Sequence, residues 1–139
     1  MVDISVDPLS AAFLIDTNVL IDSWSGDAAV IQALERLPAE AIFVPVIVLG
    51  ELYFGARRST RVVENLARID TFAATATVVP CDLATALDYG EIKTALRLLG
   101  RPLPENAIWI AALAIQHGLT LVTRDAHFDH ITGLTLDHW

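Results

Sequence analysis

Short unbroken apolar runs alternate along the chain with longer segments in which apolar positions recur every three or four residues. The first pattern marks strands buried on both faces, and the second marks helices with one buried face. Residues 12–15 read as a short buried strand, followed at once by Asp16-Thr17-Asn18 and a short helix to about Trp24. Gly26-Asp27 breaks that helix, and Asp27 caps a second one ending near Leu37-Pro38. Residues 41–44 form the second strand. Pro45 suits the first turn of a helix over 46–58, where its missing N–H costs nothing. Ser59 or Thr60 caps the next helix, which runs to about Phe72, and 77–80 is a third strand. Asp82 N-caps a long helix ending at Leu99, with Gly100 as its left-handed stop. Beyond Pro102 and Pro104, a helix from about Asn106 to His117 is stopped by Gly118. Residues 119–123 are a fourth strand and 134–136 a candidate fifth. This alternation predicts an α/β fold with a central parallel sheet of four to five strands, covered on both faces. Residues 1–11 read as an N-terminal extension and 12–139 as a single domain without linker or repeat.

Composition supports one large core. Of 139 residues, 54% are hydrophobic and 19% charged, far from disordered composition. The longest apolar stretches, 43–50 and 107–115, fall short of the ~20 residues a membrane span needs. The acidic start lacks the basic region of a signal peptide. Cys81 is the only cysteine, so no internal disulfide forms, and a cytoplasmic location is expected. The net charge of −8 argues against a simple nucleic-acid binder. It leaves room for a site in which carboxylates recruit a cation and the cation meets phosphate. The few positive charges cluster at Arg57, Arg58, Arg61 and Arg68, and again at Lys93, Arg97 and Arg101. A local basic groove is compatible with that clustering.

Three acids stand out by position. In an open parallel sheet, ligands bind beyond the carboxyl ends of the strands. Asp16 directly follows the first strand and Asp125 closely follows the fourth, so both belong to one rim. Glu51 lies in a helix that is apolar nearly all round. Each has a plain structural reading: Asp16 as a helix cap, Glu51 as a solvated helix residue, Asp125 as a turn residue. Together they would repel one another strongly without a cation. Hard oxygen ligands suit Mg2+, or Mn2+, and the corresponding chemistry is phosphodiester hydrolysis. No P-loop, Gly-x-Gly-x-x-Gly or Gly-x-Ser-x-Gly is present, and His127 and His130 lack partners for a zinc site. A phosphoacceptor role for Asp16 needs a lysine after a late strand, and the only lysine, Lys93, falls inside a helix.

Four segments in order resemble the motifs of PIN-domain ribonucleases, and among them the VapC toxins of bacterial toxin–antitoxin pairs. They are 13–22 (Phe-Leu-Ile-Asp-Thr-Asn-Val-Leu-Ile-Asp), 44–55 around Gly50-Glu51-Leu52, 100–112 around Asn106, and 121–128 (Leu-Val-Thr-Arg-Asp-Ala-His-Phe). The resemblance implies a PIN-like three-layer α/β/α fold and a Mg2+-dependent endoribonuclease cutting tRNA or rRNA. It further implies a homodimer neutralised by a cognate VapB antitoxin. Asp16, Glu51 and Asp125 fall on its acidic, metal-binding positions, and Thr17, Asn18 and Thr123 on supporting ones. Asn18 also reads as an ordinary first-turn helix residue. Arg57, Arg58 and Arg61 are candidates for contact with RNA or an acidic antitoxin segment; a solvated helix end explains them equally well.

One position departs from the pattern. Where the family's third motif has Asn-Asp, this chain has Asn106-Ala107. An acid there, near a helix N-terminus, would be favoured by the helix dipole. Glu105 is expected to lie outside the helix and point elsewhere, and Asp22 and Asp129 would reach the site only with rearrangement. The expectation is weak metal binding and poor cleavage by this copy. A deliberate Asp→Ala replacement that silences a toxic nuclease is favoured over a natural degenerate copy. The rival reading is a non-catalytic PIN-like module that binds RNA or sequesters an antitoxin.

Overall fold

The computed structural model describes residues 11–139. The expected N-terminal extension therefore lies, apart from Ala11, outside the described residues. Five strands form one sheet: β1 (Phe13–Ile15), β2 (Ile42–Pro45), β3 (Thr77–Val79), β4 (Thr120–Thr123) and β5 (Leu136–His138). Their order is β3-β2-β1-β4-β5, and every pairing is parallel. Six α-helices connect and cover them: α1 (Thr17–Trp24), α2 (Ala28–Glu35), α3 (Val46–Arg57), α4 (Val62–Thr75), α5 (Leu83–Leu98) and α6 (Glu105–His117). This is the three-layer α/β/α arrangement. The central strands are apolar because helices cover both faces. Leu14, Ile15, Val44, Leu121 and Val122 have no exposed surface. On the helix side, Val30, Val48, Ala111 and Leu113 are equally buried.

Several boundaries differ from expectation, each for a local reason. The fifth strand is Leu136–His138 and not 134–136, because Leu136 rather than Leu134 pairs with Leu121. Neither Ser59 nor Thr60 caps α4; its N-cap is Arg61, without a side-chain hydrogen bond. Ser59 instead closes the preceding helix, its Oγ donating to the Ala56 carbonyl, and it accepts from Asn65 Nδ2. Glu105 is the first residue of α6, not outside it. Asp27 and Asp82 do cap as expected, and Gly118 ends α6 at φ 64°.

The order of strands decides where a site can form. From β1 the chain moves outward through β2 to β3, then returns to place β4 on the other side of β1. The connection reverses between β1 and β4, which is the crevice where open α/β sheets bind ligands. The C-terminal ends of these two strands deliver Asp16 and Thr123 to that point.

Candidate active site

Asp16 sits at the end of β1 and begins α1, yet it is not an ordinary cap. Asp27 and Asp82 accept from the second or third amide of their helices, at Ala29 and Val30 and at Thr85. Asp16 Oδ1 accepts only from the first, Thr17 N–H, at 2.8 Å. Its Oδ2 is turned to β4, where Thr123 Oγ1 donates at 2.7 Å. The residue is only 7% exposed. Burial pushes its carboxyl above the usual carboxylate range. Hydrogen bonds from Thr123 and Thr17 pull the other way, and the nearby charge of Asp125 adds to the rise.

Glu51 comes to the same place from α3. Thr17 Oγ1 donates to Glu51 Oε1 at 3.2 Å, so one threonine touches Glu51 with its side chain and Asp16 with its amide. Glu51 is half-buried rather than solvated. Burial raises its pKa, the Thr17 hydrogen bond lowers it, and the charge of Asp16 raises it further. Beside it runs a groove of about 320 Å³ bordered by Trp24, Asn65 and Arg68.

Asp125 joins through its backbone. Its N–H donates to Thr123 Oγ1 at 3.0 Å, so that hydroxyl accepts from Asp125 and donates to Asp16. The Asp125 carboxylate faces its own turn: Oδ1 accepts from the His127 amide at 2.9 Å and lies 2.7 Å from His127 Nδ1. Asn18 is exposed in the first turn of α1. Ala107 is half-buried in the first turn of α6, packed against the core.

The acids that could have replaced a carboxylate at position 107 have other partners. Glu105 binds Lys93 and Tyr89. Asp22 binds Arg124, and Asp129 lies 2.9 Å from His138 Nε2. Of the basic candidates, Arg58 lies over the exposed Phe54 ring at 4.6 Å, and Arg61 pairs with Glu64 at 3.3 Å across open solvent. Arg57 is exposed at the end of α3.

Among the described residues, no three His, Cys, Asp or Glu side chains converge closely enough to enclose a metal ion. Mg2+ does not require such a cage: it commonly rests on one or two carboxylates, with water and phosphate completing its shell. Asp16 and Glu51 fit that mode. Both carry hard oxygens, both are raised by burial, and the charge of Asp16 makes ionising Glu51 harder. A cation would relieve all of these costs.

Arg124 was not singled out by the sequence. It stands between Thr123 and Asp125, and Nη1 lies 2.8 Å from both Asp22 Oδ2 and Asp27 Oδ2. Strand alternation would have turned it away from Thr123, but its partners lie about a hundred residues earlier in the chain.

A PIN domain model matches residues 13–134. The tRNA(fMet)-specific endonuclease VapC of Shigella flexneri is 30% identical, covering 91% of this chain and 97% of that protein. Ribonuclease VapC2 of Haemophilus influenzae is 30% identical over the same shares. Among solved structures, DNA-bound VapBC of Salmonella typhimurium superposes with a TM-score of 0.86 at 28% identity, covering 94% of this chain and 99% of that one. VapBC2 of Rickettsia felis, bound to a promoter DNA fragment, gives 0.85 at 28% identity, covering 92% and 98%. The chain belongs to the PIN-domain family, as one of its VapC ribonucleases.

Proposed function

We propose that this chain is built as a Mg2+-dependent endoribonuclease toxin, with Asp16 and Glu51 as its principal metal ligands and Asp125 as the third acid of the site. The observation that carries this reading is the buried Asp16 carboxylate at the β1–β4 switch point, linked by Thr17 to Glu51 and by Thr123 to Asp125. A bound Mg2+, or Mn2+, would neutralise phosphate charge and lower the pKa of an attacking water. The chain's own residues do the rest. Thr123 and Thr17 hold both oxygens of Asp16 in place, so the carboxylate needs no reorganisation. Core packing around Asp16 keeps bulk water from one side of the site.

Structured RNA is the proposed substrate, with tRNA supported by the name of the Shigella relative; rRNA is the other candidate. Such targets place the activity in the cytoplasm. A cognate VapB-type antitoxin is the proposed neutralising partner, as in the VapBC complexes of Rickettsia and Salmonella. The groove beside Glu51 and the arginines Arg57, Arg58 and Arg61 are surfaces open to RNA or to that partner. The toxin is proposed to act as a homodimer.

Ala107 weakens this copy. With no acid at position 107 and the Asp125 carboxylate engaged by His127, metal affinity and turnover are expected to be low. Ala107→Asp is the test: Mg2+-dependent cleavage of a tRNA substrate should rise by roughly tenfold or more, the scale of a lost metal-supporting group. No gain would count against the role of this position. The same observation favours a second reading, a non-catalytic module that binds RNA or sequesters an antitoxin. Mn2+ binding by the Ala107→Asp variant without any cleavage would select it.

A further inference from the structure

The carboxylate network leaves open what holds the turn that bears Asp125. We propose that Arg124 is a positioning residue: its guanidinium locks the end of β4 to the α1–α2 corner, and so holds the Thr123 hydroxyl and the Asp125 amide in line with Asp16. This rests on the reading of Asp16, Glu51 and Asp125 as the reaction site.

The chain bends at Arg124, directly after β4, and Asp125 follows at φ −99° and ψ 111°. The contacts separate the two side chains: Thr123 Oγ1 meets Asp16, whereas the Arg124 guanidinium meets Asp22, Asp27 and Trp139. Thr123 is fully buried, with its hydroxyl between Asp125 N–H and Asp16 Oδ2. Arg124 is the first residue beyond the sheet ladder, whose last pairing on this side is Thr123 with His138. Its side chain takes over where backbone pairing stops. Nη1 donates to Asp22 Oδ2 and to Asp27 Oδ2, each at 2.8 Å, and Nε donates to the Trp139 carbonyl at 2.8 Å.

These contacts reach separate parts of the fold. Asp22 lies on α1, the helix that Asp16 begins. Asp27 caps α2, and its other oxygen is committed to the amides of Ala29 and Val30. Trp139 follows β5. One planar fork thus ties α1, α2 and the far side of β4 together, directly beside the Thr123 hydroxyl and the Asp125 amide. Two carboxylates at 2.8 Å already meet the charge of this guanidinium.

The test uses the full chain carrying Ala107→Asp, with Arg124→Ala, Arg124→Lys and the Asp22→Ala/Asp27→Ser pair added separately; serine keeps the α2 cap but is too short to reach Arg124. Thermal unfolding checks that each variant is folded. The first readout needs no reaction: hydrogen exchange of the Asp125 amide. About tenfold faster exchange is expected in each variant, because a strand end freed of its anchor opens locally. Unchanged exchange would overturn the proposal. The second readout is RNA cleavage, with kcat expected to fall about tenfold or more and KM to stay within about twofold, the pattern of lost alignment. Lysine keeps the charge but not the fork, so Arg124→Lys is expected to behave like Arg124→Ala. A lysine variant that behaves as the parent, or a raised KM with weaker salt dependence, would assign Arg124 to RNA and overturn it. Asp16→Asn, measured alongside, separates the two readings. If cleavage survives that change, the nuclease assignment fails, and amide exchange still decides on Arg124.

Discussion

Asp16 gives its helix only a first-amide hydrogen bond and keeps its second oxygen for Thr123, so its geometry serves the site as much as the helix. That choice has a signature in pH. Asp16 and Glu51 have folded-state pKa values above their ordinary 3.8 and 4.5. A raised acid holds its proton more tightly in the folded form. Its contribution to stability is therefore complete below the ordinary value and is lost as pH rises through the raised one. Asp27, held low by Arg124, and Asp82, held low by the Thr85 amide, work in the opposite sense. Their contribution is present above the ordinary range and lost as pH falls. Comparing the chain with its Asp16→Asn variant cancels those background groups. The stability of the variant relative to the parent should increase from about pH 4, near the ordinary carboxylate range, towards neutrality. Added Mg2+ should narrow the gap by stabilising the parent alone. Denaturant titrations across pH, with and without Mg2+, check this; a difference flat in pH would contradict the burial cost assigned to Asp16.

At the scale of elements, the central strands β1, β2 and β4 can be short because they are buried between helices, whereas the edge strands β3 and β5 are only partly covered. Helix ends carry clearer local chemistry than strand ends. Asp27, Asp82 and Gly118 announce their roles in the sequence, since a side-chain acceptor or a left-handed residue is a local requirement. The start of α4 and the position of β5 were misplaced because neither depends on local chemistry. Ser59 had two possible employers, and β5 is set by its register on β4. The same logic yields a paired prediction on two glycines. Gly118 adopts φ 64°, so Gly118→Ala should cost about 1–2 kcal/mol, the penalty of a side chain in the left-handed region. Gly50 lies inside α3, exposed, with open space where a Cβ would stand. Gly50→Ala should gain about 0.5–1 kcal/mol. Equilibrium unfolding of both variants reads the two signs directly.

For the whole molecule, the acidic charge and the surplus of apolar residues take on separate meanings. No helix among the described residues is long and apolar enough to cross a membrane. Some of the surplus instead lies on the surface of α5, where Leu83, Leu87 and Leu98 are 79%, 66% and 84% exposed. Apolar surface of this kind is characteristic of association sites, and the proposed homodimer can be tested there. A Leu87→Lys/Leu98→Lys variant should show monomer mass by light scattering with unchanged helical content. A dimer mass that persists would place the interface elsewhere.

Strand–helix alternation, the parallel sheet and the rim that carries Asp16 and Asp125 were determined by the sequence alone. They follow from hydrophobic spacing and from the rule that parallel sheets open at their carboxyl ends. The motif at 100–112 also carries the expectation that Ala107 stands where its relatives have an acid, an expectation that rests on sequence alone. Only the tertiary structure decided that Thr17 touches both Asp16 and Glu51, that Thr123 relays between Asp125 and Asp16, and that Arg124 anchors the turn behind them. Each of these contacts joins residues far apart in the chain, except the backbone bonds at Thr17 and Asp125. Local pattern specifies which side a residue faces, but the packing of strands and helices selects the partner it meets there.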